Sequence, residues 1–217
     1  MVYIKIFTVC PKSFASNTYL LVSGKEAIVI DPSVSIDALE KELAPHNATL
    51  IGALLTHGHF DHTVSIDTLR KRHSVPVYIH KDDACMITDG KLNGFYTLFG
   101  RECVHSPADI LLNDGDEIFV GDEKIKVLHT PGHSQGSCSF IFNDEEGKTA
   151  IITGDTLFSN SFGRTDLYGG NIHMLKESIQ KLAMLDRAAR IYPGHNESST
   201  LGDAVDIALK YLSFNID

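Results

Sequence analysis

The chain has 217 residues, 43% apolar and 22% charged, with no excess of glycine or proline. That is enough for one globular domain with a sizeable core and too little for two full ones. A formal net charge of −9 and no basic run beyond Arg70-Lys71-Arg72 weigh against nucleic-acid binding, which draws its affinity from clustered Lys and Arg. No segment reaches the ~20 apolar residues of a membrane span. The N-terminal stretch is broken by Lys5 and lacks a small-residue cleavage site. The four cysteines are scattered without a C-x-x-C pair, so free thiols and a cytoplasmic location are expected.

Val2–Val9, Asn17–Ser23 and Ala27–Ile30 read as β-strands, the third ended by Asp31-Pro32. Ile36–Leu43 has helical spacing, with Ser35 as N-cap and Pro45 as stop. Leu50–Leu55 fits a buried strand and runs into T-H-G-H-F-D-H at 56–62. A helix over Val64–His73 and a strand over Val75–Ile79 follow. Ala84–Ile87 reads as a short helix and Asn93–Cys103 as loop. Asp109–Leu112, Glu117–Val120 and Lys124–His129 read as successive antiparallel strands. After T-P-G-H-S-Q-G at 130–136 come strands over Ser139–Phe142 and Ala150–Thr153. Gly154-Asp155-Thr156 opens a long loop that ends at Gly169-Gly170. Ile172–Leu185 carries Ile172, Leu175, Ile179, Leu182 and Leu185 on one stripe. A last strand at Ile191-Tyr192 and a helix over Ala204–Leu212 complete one α/β domain spanning 1–217.

Eleven histidines against four methionines make histidine the compositional outlier. His57, His59, Asp61 and His62 place four ligand-type side chains within six residues, on a loop directly after a buried strand. Imidazole and carboxylate suit borderline divalent ions, and Gly58 is expected to relieve backbone strain between the first two histidines. A polar loop in which Asp61 caps the next helix is the plainer alternative. His133, Asp155 and His195 would each pass alone as structural residues, but all lie in Gly-containing loops at strand ends, where binding groups are usually carried. Two ions about 3.5–4 Å apart need roughly seven protein ligands, one of them shared. Seven are present, and Asp155, with two carboxylate oxygens, is the natural shared one. The other six histidines (His46, His73, His80, His105, His129, His173) read as surface or core residues.

T-H-G-H-F-D-H at 56–62, P-G-H-S at 131–134, T-G-D-T-L-F at 153–158, G-R-T-D at 163–166 and Y-P-G-H at 192–195 together resemble the metallo-β-lactamase-fold hydrolases, and more closely their short glyoxalase II-like (hydroxyacylglutathione hydrolase-like) branch. The resemblance implies a four-layer αββα sandwich. It implies His57, His59 and His133 around a first metal, Asp61, His62 and His195 around a second, and Asp155 on both. The β-lactamases commonly place a cysteine near the second metal, and no cysteine stands there in this chain. Full-length glyoxalase II enzymes carry a basic C-terminal region for glutathione. Here 22 residues follow His195, with Lys210 their sole basic side chain, which argues against glutathione specificity.

The expected activity is hydrolysis of a small-molecule thioester, of the hydroxyacyl type, with two divalent ions, zinc first and iron or manganese as alternatives. Metal coordination lowers the pKa of water from about 15.7 to about 7 and polarises a carbonyl. Asp61 and Asp155 are the expected catalytic carboxylates. A thiolate, from a thiol of pKa about 8.5, leaves without a strong general acid. Phe158, Phe162 and Arg164 are expected to wall the substrate pocket, and Asp31 to support the ligands from behind. The alternative is a persulfide dioxygenase of the same fold, in which His57, His133 and Asp155 hold one iron.

Overall fold

The computed structural model describes residues 3–10 and 15–215; Val2 of the first expected strand falls outside them. Six strands, β1 (Lys5–Val9), β2 (Thr18–Ser23), β3 (Glu26–Ile30), β4 (Thr49–Leu54), β5 (Val77–His80) and β6 (Ile110–Leu112), form one sheet in sequence order. Another six, β7 (Glu117–Val120), β8 (Glu123–His129), β9 (Cys138–Asn143), β10 (Thr149–Gly154), β11 (Arg190–Pro193) and β12 (Ser199–Thr200), form the second in the order β12-β11-β10-β9-β8-β7. The helices are α1 (Ile36–Leu43), α2 (Ile66–His73), α3 (Phe95–Phe99), α4 (Ile172–Ala183) and α5 (Leu201–Asn215).

The period of two along each strand creates the layers. In β2 every residue is buried. Its Tyr19 and Leu21 join Phe140, Ile125 and Ile152 between the sheets, while Leu20 and Val22 face the opposite way. There they meet Leu39 of α1 and Leu69 of α2. On the far side, Ile151 and Ile191 pack against Leu175 and Ile179 of α4 and Val205 and Leu212 of α5. Three apolar layers thus separate helix, sheet, sheet and helix, the expected αββα sandwich. No helix among the described residues is long and apolar enough to cross a membrane.

Ser35 caps α1 as expected, accepting from the Ala38 N–H. Three expectations fail. Residues 110–112 do not pair antiparallel with β7; β6 lies parallel to β5 at the edge of the first sheet. Asp109 determines this, because its N–H donates to Val77 O and its Oδ2 accepts from Val77 N–H and from the Arg70 guanidinium. Within the expected loop at 93–103 stands α3, whose five residues are too few to reveal a helical period. Gly94 and Gly100, both left-handed, delimit it. The expected short helix at 84–87 is replaced by two 3-10 turns, Lys81–Asp83 and Met86–Thr88.

Candidate metal centre

β4, β8, β10 and β11 all end at one edge of the sandwich, and each hands the chain to a loop bearing ligand-type residues. The loops are fastened to one another: across the two sheets Cys138 N–H donates to Thr56 O at 2.8 Å, and within the second sheet Gly194 N–H donates to Gly154 O at 2.8 Å. All seven residues expected from the sequence meet here. His57, His59 and His133 form one group whose ligand atoms lie within 4.8 Å of one another, and Asp61, His62 and His195 form a second. Asp155 stands between them, with Oδ1 3.3 Å from His62 Nε2 and Oδ2 3.6 Å from both His133 Nε2 and His195 Nε2. The first group is buried. The second opens outward, with the side chains of Asp61 and His195 27% and 32% exposed, so approach to the site is from this side. Asp61 does not cap a helix. It lies in a 3-10 turn, Phe60–His62, and its Oδ2 is 3.2 Å from His195 Nε2.

The surrounding hydrogen bonds fix which imidazole nitrogens carry lone pairs. His133 Nδ1 donates to the Arg164 carbonyl at 2.7 Å, which leaves Nε2 as the free acceptor. Thr56 Oγ1 donates to Asp31 Oδ2 at 2.7 Å and so accepts from His57 Nδ1 at 3.0 Å, which frees His57 Nε2. Those two Nε2 atoms are only 3.2 Å apart, and His133 Nε2 is 2.8 Å from His59 Nδ1. Nε2 of His59 and His62 and Oδ1 of Asp155 are buried without a hydrogen-bond partner. Converging lone pairs and orphaned buried atoms cost free energy unless a cation satisfies them. The donor set, imidazole and carboxylate, is that of borderline divalent ions. The residues present therefore fit a metal centre of one or two ions.

Burial and the crowding of neighbouring imidazoles hold His57 well below the usual histidine range and His59 down at about 3, so both are neutral at neutral pH. Burial also works against charge at His62, but Asp155, Asp31 and Asp61 outweigh it and hold this imidazole well above its ordinary value. Burial pushes Asp155 up, yet His62, His133 and His195 more than compensate and leave it far below the usual carboxylate range. Asp61 is lowered in the same way, with His62 and His195 outweighing burial.

Asp31, at the end of β3, supports the site from behind as expected. Its Oδ1 accepts from Thr56 N–H at 2.8 Å, and its Oδ2 from Thr56 Oγ1 and from His62 Nδ1 at 2.8 Å. Asp83 escaped the sequence reading because nothing in Lys81-Asp82-Asp83 distinguishes it from a surface turn. Buried, it accepts from Gly58 N–H (3.0 Å), Ser134 Oγ (2.6 Å) and Gly136 N–H (2.6 Å), which ties the 56–62 loop to the 130–136 loop. Gly58 relieves no strain, since it is not among the residues of positive φ. It is needed for space, because a Cβ there would meet Met86 Cβ at 2.6 Å. Gly194 is tighter still, with Asp155 Oδ1 2.1 Å from where its Cβ would stand.

A cleft of about 260 Å³ opens over the site, lined by Phe60, Leu98, Phe158, Arg164 and Leu167 besides the ligand-type residues. Phe158 and Arg164 stand where the sequence placed them. Phe162 does not line the cleft and packs against the Leu175–Ile179 core. Arg164 makes a bidentate pair with Asp166 at 2.6 and 2.7 Å. Phe60 and Leu98 were not anticipated, because their place in the wall depends on α3, where Phe95 and Phe99 pack against the Phe60 ring.

An αββα sandwich with a histidine–aspartate cluster at its loop edge is the architecture of the metallo-β-lactamase fold. The chain matches the profile of the metallo-beta-lactamase superfamily over residues 12–195, and it belongs to that superfamily. A Bacillus subtilis (strain 168) protein named probable metallo-hydrolase YqgX is 36% identical over 181 residues, covering 83% of this chain and 84% of the relative. The crystal structure of BLEG-1 B3 metallo-beta-lactamase is similar with a TM-score of 0.82 and 35% identity, covering 93% of this chain and 96% of the other. The crystal structure of TTHA1623 in a di-iron-bound form is similar with a TM-score of 0.74 and 31% identity, covering 91% and 95%.

Proposed function

We propose that this chain is a binuclear metal-dependent thioester hydrolase with glyoxalase II-like chemistry, acting on hydroxyacyl thioesters. The observation that carries the reading is the convergence of two ligand groups on one carboxylate, Asp155, at the floor of an open cleft. In this reading His57, His59 and His133 hold one ion, Asp61, His62 and His195 the other, and Asp155 serves both. Zinc is the first choice of metal. The relative crystallised in a di-iron-bound form supports two ions and keeps iron in the comparison. Such a pair supplies a water deprotonated near neutral pH and a Lewis acid for a carbonyl oxygen.

The chain's own residues do the rest. Asp61, ionised and facing the cleft, is placed to orient the attacking hydroxide. Asp61 and Asp155 both lie below the usual carboxylate range, so neither is a proton donor for a leaving group at neutral pH. That favours a leaving group able to depart unprotonated, as a thiolate does. Among the described residues Arg164 is the only Lys or Arg in the cleft wall, and its guanidinium is engaged by Asp166. The contacts these described residues offer an acyl group are apolar, from Phe60, Leu98 and Phe158.

The test is metal content per chain after reconstitution, together with thiol release from a panel of hydroxyacyl and acyl thioesters. Two ions per chain are expected, with activity lost on chelation and regained with metal. His62→Ala should lose one ion and at least about 100-fold in rate, since Lewis-acid stabilisation is worth several kcal/mol. The panel includes a β-lactam, because a relative 35% identical is described as a B3 metallo-beta-lactamase; turnover of the β-lactam alone would overturn the thioesterase reading. A single iron that never becomes two, with oxygen consumed when a persulfide is added, would make the chain a dioxygenase.

Within the same assay, Leu98→Ser is expected to raise KM about 3–10-fold for a six-carbon acyl group. It should leave an acetyl substrate nearly unchanged, in line with the free energy of burying a leucine-sized contact. An equal rise for both substrates would remove Leu98 from acyl recognition.

A further inference from the structure

The imidazoles of the cleft are not all held in the same way. In His57, His62 and His133 the nitrogen remote from the site has a partner of its own: Thr56 Oγ1, Asp31 Oδ2 and the Arg164 carbonyl. His195 has no such partner among the described residues. Its Nε2 faces Asp61 Oδ2 at 3.2 Å and Asp155 Oδ2 at 3.6 Å, and Phe158 stands edge-on to its ring at 6.0 Å. The direction of this ring therefore has to be set through its backbone. The chain leaves β11 at Pro193 and turns through Gly194, His195 and Asn196, the last in the left-handed region at φ 67°.

Taking the second ligand group as an ion site, as above, we propose that Asn17 is a positioning residue for His195. With Ser16 it clasps the two outward-facing members of that group, Asp61 and His195, to one point of the first sheet. Asn17 N–H donates to Gly194 O at 2.6 Å. Its side-chain amide uses both protons, donating to Pro193 O at 3.0 Å and to Asn196 O at 2.9 Å. The Tyr19 hydroxyl adds a second donor to Pro193 O at 2.6 Å. Every one of these bonds lands on a carbonyl flanking His195. An amide is suited to the task because its NH2 offers two donors from one atom, where a carboxylate of the same shape only accepts.

The other jaw of the clasp is Ser16, which is fully buried. Its N–H donates to Asp61 O at 3.3 Å, and the hydroxyls of Ser16 and Ser33 reach the same carbonyl at 3.0 and 2.5 Å. Thr18 fixes the stem: its Oγ1 donates to Asp31 O at 2.7 Å and accepts from Ser33 N–H at 2.9 Å. Two consecutive residues thus grip the backbone on either side of the 3.2 Å gap between Asp61 and His195. The first group has anchors elsewhere, in Asp83 and the Arg164 carbonyl. Slack at Asn17 should therefore move His195 and leave His57, His59 and His133 in place.

The test uses the full-length chain carrying Asn17→Ala, which keeps the backbone bond to Gly194 and removes both amide donors. In the metal-free protein, ¹³C relaxation of the histidine rings should show a more mobile His195, with His57 and His133 as in the parent. In Zn(II) titrations against a chromophoric chelator, the second ion should bind about 10–100-fold more weakly and the first within about twofold of the parent. Circular dichroism checks the fold. Should Asn17→Ala fail to fold, Tyr19→Phe decides by the same readouts, since it keeps the buried ring and removes one donor to Pro193. A parent that takes a single ion would overturn the binuclear reading instead, and the His195 relaxation then decides alone. His195 relaxation identical to the parent's would overturn the proposal, as would an unchanged second affinity. Equal weakening of both ions would also overturn it, because a merely structural residue would act on both groups.

Discussion

Replacing Asp31 by Asn is expected to weaken divalent-ion binding on the His62 side of the cleft by about 10–100-fold, the usual effect of losing a carboxylate behind a metal-ligating histidine. The two oxygens of Asp31 accept three hydrogen bonds, from Thr56 N–H, Thr56 Oγ1 and His62 Nδ1. An amide has a single oxygen. If it stays with the Thr56 N–H, its NH2 group meets Thr56 Oγ1 and His62 Nδ1. His62 must then keep its proton on Nε2, the atom that should face the ion, and Thr56 Oγ1 no longer has a reason to accept from His57. Asn tolerates the left-handed backbone of residue 31 (φ 48°) as Asp does, so the fold should survive. The loss should therefore appear in metal affinity rather than in global stability. Competition with a chromophoric chelator gives the affinity, and ¹⁵N shifts of the His62 ring report the tautomer in the loaded protein. An affinity within twofold of the parent, with His62 still unprotonated at Nε2, would remove Asp31 from tautomer control.

The ligand-type residues of the cleft were legible because they are local in sequence, in chemical type and in punctuation. His57, His59, Asp61 and His62 fall in one short loop, and His133, Asp155 and His195 each follow a strand whose apolar run announces its own end. The layers were legible for a related reason: strands such as β8 and helices such as α4 carry their periodicity within a few residues. What stayed hidden depends on partners distant in the chain. Asp83 is an acceptor only because Gly58 and Gly136 bring their N–H groups to it. The edge position of β6 follows from Asp109 meeting Val77. Phe60 and Leu98 become cleft wall through a five-residue helix too short to show a period, and Phe162, equally apolar on paper, is drawn into the core instead.

Asp83→Ala is expected to cost about 2–4 kcal/mol of stability and, unlike the change at residue 31, to loosen the first ligand group as a whole. The carboxylate is fully buried, and burial raises its pKa despite the donors of Ser134, Gly136 and Gly58. An ion held against its own desolvation is retained here because it joins two loops that no regular hydrogen-bond ladder joins. Without it the Gly58 and Gly136 N–H groups lose their acceptor, each at about 1–3 kcal/mol, partly offset by removal of the buried charge. Ser134 keeps Ser137 Oγ at 2.6 Å and adds little to the loss. For a chain of this size the thermal midpoint should fall by on the order of 10 °C. The functional effect follows from geometry. Gly58 separates His57 from His59, and Gly136 closes the loop that carries His133, so slack between them spreads the three nitrogens that must meet one ion. The variant should therefore bind its first ion more weakly even well below its unfolding temperature, and excess metal should restore part of the lost midpoint by mass action. A destabilised variant whose metal affinity is unchanged would reduce Asp83 to a purely structural clasp, and an unchanged midpoint would show that the two loops are held by other contacts.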